Sequence, residues 1–339
     1  MASPPIGSGR LGFIWGVLTG LVAMVRFPVR DRPDVTHVHT SHWYSFYRAS
    51  VYVLFAKHVW NAPVVLHVHG SSFDEFIDTD SRAVAALQWL VFESSDDIIV
   101  LSDHWADVVS TRADADRIRV LPNAVDPSTF GSETPPDETA EDSPEEGPGA
   151  TPSDRQPPTP GDEVPHVVFV SNLIERKGVK ELSEALETLA ATHPGEFRAT
   201  VAGDGPLADR IERLAAEHDE ITYLGYVSEE RKRSLLSDGA IYVLPTYAEG
   251  LPIAMLEGMA GANAVVSTTV GSIPEVIDED RGILTEPGDV DQLTEALERL
   301  VTAPERRARM AENNRRTIEE RYSWDHVTDE LVAIYETHV

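Results

Sequence analysis

The chain has 339 residues, enough for two ordinary domains with full cores, and carries a formal net charge of −29. Its acids are spread along the whole length, which excludes a nucleic-acid partner because phosphate binding needs a basic face. The absence of cysteine excludes disulfides and thiolate chemistry.

The chain opens with MASPPIGSGR and an apolar run, LGFIWGVLTGLVAMV, at 11–25. That run is too short for a spanning helix and reads as the helix before the first strand. GSGRLG at 7–12 matches a dinucleotide fingerprint, but the fingerprint needs a strand in front of it, which the two prolines of MASPPI deny. The strand DVTHVH follows, with His37, His39 and His42 clustered after it. His42, Trp43, Tyr44, Phe46 and Tyr47 look exposed and suit a groove for a lipid-linked or membrane-near acceptor. The run PVVLHV is a second strand, which places His69 at its carboxyl end, where ligands bind in open α/β sheets, with His67 on the same face. These histidines invite a zinc reading. They lie on two separate strands without fixed ligand spacing, so no metal is expected.

Residues 131–162 hold eight prolines and nine acids without an aromatic or aliphatic core former except alanine, the composition of a disordered linker. Domain boundaries are therefore expected at 1–130, 131–162, 163–321 and 322–339. The second half alternates β and α signals. The GDGP turn, with Gly203 and Gly205, and the YLGYV run, with Tyr226 and Val227, follow, and the small residues of the turn allow close backbone approach. AIYVLP reads as a buried parallel strand and LPIAMLEGMA as a helix, so Glu249 falls in the loop between them. Pro252 suits the first helical turn, whose amides point toward an anion such as a diphosphate. Glu257 lies about two turns further in, roughly 9 Å along the axis, near the distance from a phosphate to a ribose. The terminal run is amphipathic through Trp324, Val327, Leu331 and Ile334. Four DxD triplets, at 78, 114, 278 and 289, are too slight an excess in so acidic a chain to mark a metal site.

The segment PTYAEGLPIAMLE at 245–257 resembles the paired-glutamate motif of the retaining glycosyltransferases of family 4. Neighbouring motifs stand in that family's order: RPDVTHVHTS, APVVLHVHGSSFDEF, IIVLSD and VLPNAVD upstream, VVFVSNLIERKGV, VAGDGP, YLGYVS and GSIPEVI in the second half. The resemblance implies an α/β fold of GT-B type, two facing Rossmann-like domains with parallel sheets. It also implies metal-independent sugar transfer with retained anomeric configuration. Glu249, Lys177 and His69 become the catalytic candidates: Lys177 as the point charge that neutralises the leaving diphosphate, His69 as a group that stabilises and orients beside the donor sugar. Asn172, Arg176, Gly203, Gly205, Tyr226, Val227, Gly250, Leu251 and Glu257 become donor-binding candidates. Asn172 departs from the family, which usually has an arginine there, and Arg176 is the nearby cation that could compensate. The family's first strand, glycine-rich loop, helix and second strand have no counterpart before DVTHVH, so the N-terminal domain is expected to lack its first βαβ unit.

The implied partners are a nucleotide-diphosphate sugar as co-substrate and a glycan, lipid-linked or small-molecule acceptor, with no cofactor and with peripheral membrane contact as a further expectation. An inactive sugar-nucleotide-binding scaffold and a GT-B sugar-nucleotide epimerase are the alternatives. Four lysines beside 24 arginines and 57 acids suggest a cytoplasm of molar salt, where the Debye length shrinks to about 3 Å and self-repulsion loses its cost.

Overall fold

The computed structural model describes residues 26–130 and 164–339, so GSGRLG, the apolar run at 11–25 and the acidic proline-rich segment at 131–162 lie outside the described residues. The chain divides into two compact units, one taking in Met1–Pro122 with Asp329–Val339, the other Asn123–Thr328. Each is an α/β unit on a parallel sheet. The first sheet runs β1 (Thr36–Thr40), β2 (Val64–Val68), β3 (Asp97–Val100), β4 (Ile118–Val120) in spatial order. The second is built from β5 (His166–Val170), β6 (Arg198–Ala202), β7 (Ile221–Gly225), β8 (Ile241–Leu244), β9 (Ala264–Thr268) and β10 (Gly282–Thr285), ordered β10-β9-β8-β5-β6-β7. Every residue of β2, β3, β5, β8 and β9 is buried. Burial on both faces is why these strands are mostly apolar along their length instead of alternating.

The strand order positions the site. β5 has β6 on one side and β8 on the other, so the chain winds outward in opposite directions from this pair. Connections leaving the carboxyl ends of β5 and β8 therefore run on toward opposite sides of the sheet, and this reversal of strand order marks the switch point where ligands bind in such sheets.

In the first unit the helix Tyr44–Phe55 buries Phe46, Ala49, Ser50 and Val53, one stripe at helical spacing. Phe46 is thus a core residue and not part of an exposed aromatic groove; its ring lies 5.0 Å from that of Phe76. Trp43, Tyr44 and Tyr47 do face solvent. His37 and His39 stand inside β1 and not after it. The terminal helix Trp324–Glu336 buries Val327, whereas Trp324 is 57% exposed. Its far end is held by polar contacts that apolar spacing does not reveal: the Tyr335 hydroxyl meets Nδ1 of His37, and His338 meets Asp97 at 2.6 Å. Aspartates of three DxD triplets act locally, Asp114 and Asp289 as helix N-caps and Asp278 on the amide of Asp280. No described helix is long and apolar enough to cross a membrane.

His166 opens β5 with its side chain enclosed, Nε2 2.8 Å from the Thr200 hydroxyl. Burial, helped by Arg198, pushes its pKa down to about 4, against weaker opposition from Asp238. The folded pKa lies below the unfolded value, so the folded state is favoured fully above pH ~6.5 and loses that contribution as pH falls from ~6.5 toward 4. Denaturant midpoints of the parent and of His166→Gln, taken across this window, are expected to converge as pH falls; a constant difference would contradict a neutral buried imidazole.

Candidate functional site

The site in the second unit is made by two loops packed backbone against backbone. After β5 the chain forms a turn at Glu175–Lys177 closed by Gly178 at φ +69°; after β8 it runs Pro245–Leu251 into the helix Ile253–Ala260. A Cβ on Gly178 would sit 1.8 Å from the Pro245 carbonyl oxygen, so only glycine permits both the left-handed turn and the contact. The carbonyl of Arg176 accepts from the amide of Tyr247 at 2.8 Å, and the Arg176 guanidinium donates to the carbonyl of Ala248 at 2.5 Å. From the other side Ser272 donates its amide to the Gly250 carbonyl at 3.1 Å, and the Asn123 amide donates to the Leu251 carbonyl at 2.7 Å.

This clamping brings Lys177 and Glu249 together. The Lys177 ammonium donates to Oε1 of Glu249, and both side chains are largely enclosed, 12% and 8% exposed. Arg176 lies 3.7 Å from Oε2. The Thr246 hydroxyl, fully buried, is 3.1 Å from Oε1 of Glu249 and 3.0 Å from the Arg176 carbonyl, and with one proton it donates to one at a time. A carboxylate and two cations therefore converge at the switch point, with Glu249, Gly250 and Leu251 buried. The helix Ile253–Ala260 begins with Pro252 as its N-cap, one position earlier than the first turn, and no side chain caps it. An N-terminus left without a side-chain acceptor is suited to an anionic ligand.

Glu257 projects from that helix and accepts from Lys232 at 2.7 Å, while Lys232 also pairs with Glu229 at 2.8 Å. Burial opposes charging of Lys232, but the two carboxylates outweigh it and raise its pKa. All four lysines of the chain pair with carboxylates: Lys57 with Asp96, Lys177 with Glu249, Lys180 with Glu175 and Lys232 with Glu257. The GDGP glycines serve the protein's own backbone. A Cβ on Gly203 would fall 1.8 Å from the Ser171 carbonyl and one on Gly205 2.5 Å from that of Leu173, so this turn lies against the loop after β5. Tyr226 is 82% exposed, Val227 half-buried, and Asn172 exposed with its carbonyl closing a turn onto the amide of Ile174.

In the first unit His69 follows β2 directly, its amide donating to the Thr40 carbonyl at 2.6 Å. The strands β1 and β2 prove to be neighbours in register, His39 opposite His67, so the histidines of the two strands form one column. Ring centroids of His67 and His69 are 4.0 Å apart, and Nδ1 of His39 is 2.8 Å from Nε2 of His69. Burial first, and the charge of neighbouring imidazoles second, lowers the pKa of His37 and His69 to about 4, and that of His67 further still.

Glycosyltransferase family 4 matches residues 2–129, and the group 1 glycosyl transferases match 151–317. Two family matches, in order, cover both units. The chain belongs to the family 4, group 1 glycosyltransferases. An uncharacterised glycosyltransferase of Methanocaldococcus jannaschii is 24% identical over 315 residues, which is 90% of this chain and 75% of that one. This glycosyltransferase spans between 38% and 58% of the length of several further relatives, among them phosphatidylinositol N-acetylglucosaminyltransferase subunits. Sucrose-phosphate synthase from Thermosynechococcus elongatus superposes with a TM-score of 0.72 at 19% identity, over 99% of this chain and 82% of that one. The Anabaena HepE protein in complex with UDP gives 0.67 at 17% identity, over 95% and 81%. The glycosyltransferase thus has the α/β GT-B fold.

Sequence reading of this glycosyltransferase found Lys177, Arg176 and Glu249, which the fold brings together in two loops, and Glu257, which stands apart on the helix Ile253–Ala260. It missed Thr246 and Lys232 as partners of the two glutamates. Thr246 carried a usable signal, three residues before Glu249 in the same loop; Lys232 carried none, being brought in from the helix Glu229–Ser237 only by tertiary packing.

Proposed function

We propose that the protein transfers a sugar from a nucleotide-diphosphate donor to a glycan, lipid-linked or small-molecule acceptor, with retention of anomeric configuration and without a metal in the transfer step. The observation that carries this reading is the enclosed Lys177–Glu249 contact at the β5/β8 switch point, with Arg176 beside it. Lys177 and Arg176 supply positive charge for a leaving diphosphate, the service most useful where charge develops. Arg176 makes good the cation that Asn172 lacks. Glu249 is poised to leave Lys177 for the donor sugar's hydroxyls, and Glu257 to exchange Lys232 for the ribose hydroxyls. For His69 the proposal is a stabilising and orienting role beside the donor sugar. Solved structures of HepE hold UDP and UDP-glucose, which supports a nucleotide-sugar donor.

The test is to incubate the protein with a panel of nucleotide sugars, no divalent ion added, with and without acceptors, following nucleotide diphosphate and the anomeric proton of the product. Acceptor-dependent release with the donor's anomeric configuration supports the proposal. Release without acceptor, with isomerised sugar, would point to an epimerase, and nucleotide binding with no release to a scaffold.

Glu257→Ala should mainly raise donor KM, by about 10- to 100-fold, the equivalent of about one hydrogen bond to a charged group. A fall in kcat with KM unchanged would remove Glu257 from the ribose.

The setting proposed is a cytoplasm of molar salt, the condition that tolerates a net charge of −29. The melting temperature is expected to fall steeply on dialysis to low salt; an unchanged value would refute this.

A further inference from the structure

The histidine column of the first unit contains more imidazole than sugar transfer uses. Because β1 and β2 pair in parallel with His39 opposite His67, and His37 lies two residues upstream of His39 on the same face, three imidazoles meet on one side of the sheet. Ring nitrogens of His37, His39 and His67, one from each, lie within 4.8 Å of one another, the one such group of histidines and carboxylates among the described residues. His67 is 7% exposed, yet neither of its ring nitrogens has a hydrogen-bond partner, and Nε2 of His37 is likewise buried and unpaired. Enclosing polar nitrogens with nothing to bond is unfavourable unless something else takes their lone pairs.

We propose that His37, His39 and His67 form a binding site for a zinc-class divalent ion. Imidazole is the ligand type that suits zinc, copper and nickel, and three of them leave a fourth position for water. Zn–N bonds of about 2.0–2.1 Å require ligand atoms roughly 3.3 Å apart in a tetrahedron, so the three rings close on the ion by side-chain rotation. The outer contacts are already in place. Tyr335 meets Nδ1 of His37; when that nitrogen carries the proton and donates to the phenol oxygen, Nε2 is left as the ligand atom. His69 engages Nδ1 of His39 in the same way and leaves that ring's Nε2 for the ion.

The experiment titrates metal-stripped full-length protein with Zn2+ alone by calorimetry, and with Co2+ by visible absorption, in parent, His39→Ala, His37→Gln, Tyr335→Phe and His42→Gln. Expected are about one tight equivalent of Zn2+ and an intense cobalt band typical of a tetrahedral nitrogen site. His39→Ala and His37→Gln should each weaken binding more than about a hundredfold, Tyr335→Phe by about 10- to 100-fold, and His42→Gln not at all. His39 is exposed, so its loss leaves the fold intact and its result interpretable. Weak binding of many ions with a pale octahedral cobalt spectrum, or tight binding unmoved by His39→Ala and His37→Gln, would overturn the proposal. Ion binding is read without a sugar donor, so the outcome is separate from that of the transfer reading.

Discussion

Glu249→Gln is expected to leave nucleotide-diphosphate binding in place and to cut the transfer rate about a hundredfold or more, the scale on which one electrostatic contact to developing charge is measured. Diphosphate affinity is assigned to Lys177, Arg176 and the start of the helix Ile253–Ala260, none of which the substitution removes. What it removes is negative charge beside a sugar ring that becomes oxocarbenium-like, so the loss falls in the transition state more than in the bound donor. Glutamine also fits the pocket poorly. Lys177, Thr246 and Arg176 all present donors to the Glu249 carboxylate. An amide that satisfies Lys177 with its oxygen turns its NH2 toward the guanidinium, donor against donor. A melting curve taken beside calorimetric nucleotide titration and single-turnover transfer separates these effects. Parental transfer by Glu249→Gln would make Glu249 a structural loop residue.

Lys177→Ala is the second large effect: transfer should fall about a hundredfold or more, and stability should fall with it. The Lys177–Glu249 pair is enclosed, and removing one partner of a buried pair costs about 3–5 kcal/mol when nothing replaces it. Here Thr246 and Arg176 remain beside the carboxylate, so the cost should sit at or below the lower end of that range. The double variant Lys177→Ala/Glu249→Gln removes the stranded charge as well. It should recover much of the lost stability and none of the lost activity, a coupling expected of residues in direct contact. Near-parental transfer by Lys177→Ala would place the diphosphate elsewhere; a double variant no more stable than the single would mean that the pair is solvated and contributes little.

Several elements were legible in local pattern alone. The runs PVVLHV, DVTHVH and AIYVLP are short, β-branched and bounded by turn residues, and each forms a strand; the first and third are buried along their whole length, as parallel strands covered on both faces are, while the strand of DVTHVH alternates between buried and more open positions. The loop location of Glu249 and the helix carrying Glu257 followed from the same reading. Exposure was harder to read. Phe46, expected at the surface, is enclosed because the helix Tyr44–Phe55 turns it inward with Ala49, Ser50 and Val53, while Trp324, expected inside, faces water. A helical stripe identifies a face, but which neighbour covers that face depends on the packing of elements distant in sequence.

The sequence by itself determined the fold class, the family and the carboxylates and cations of the second unit, because each rests on a contiguous motif whose residues act within one loop or one helix. Only the tertiary structure decided which of those residues meet. Lys177 and Glu249 are 72 positions apart and touch because β5 and β8 are adjacent and Gly178 lets their loops pack backbone to backbone. Lys232 reaches Glu257 across two helices. His39 and His67 looked unrelated on two strands until the parallel register of β1 and β2 set them opposite one another. Strand order and register are set by how all the apolar faces are buried together, and no short stretch of sequence contains that information.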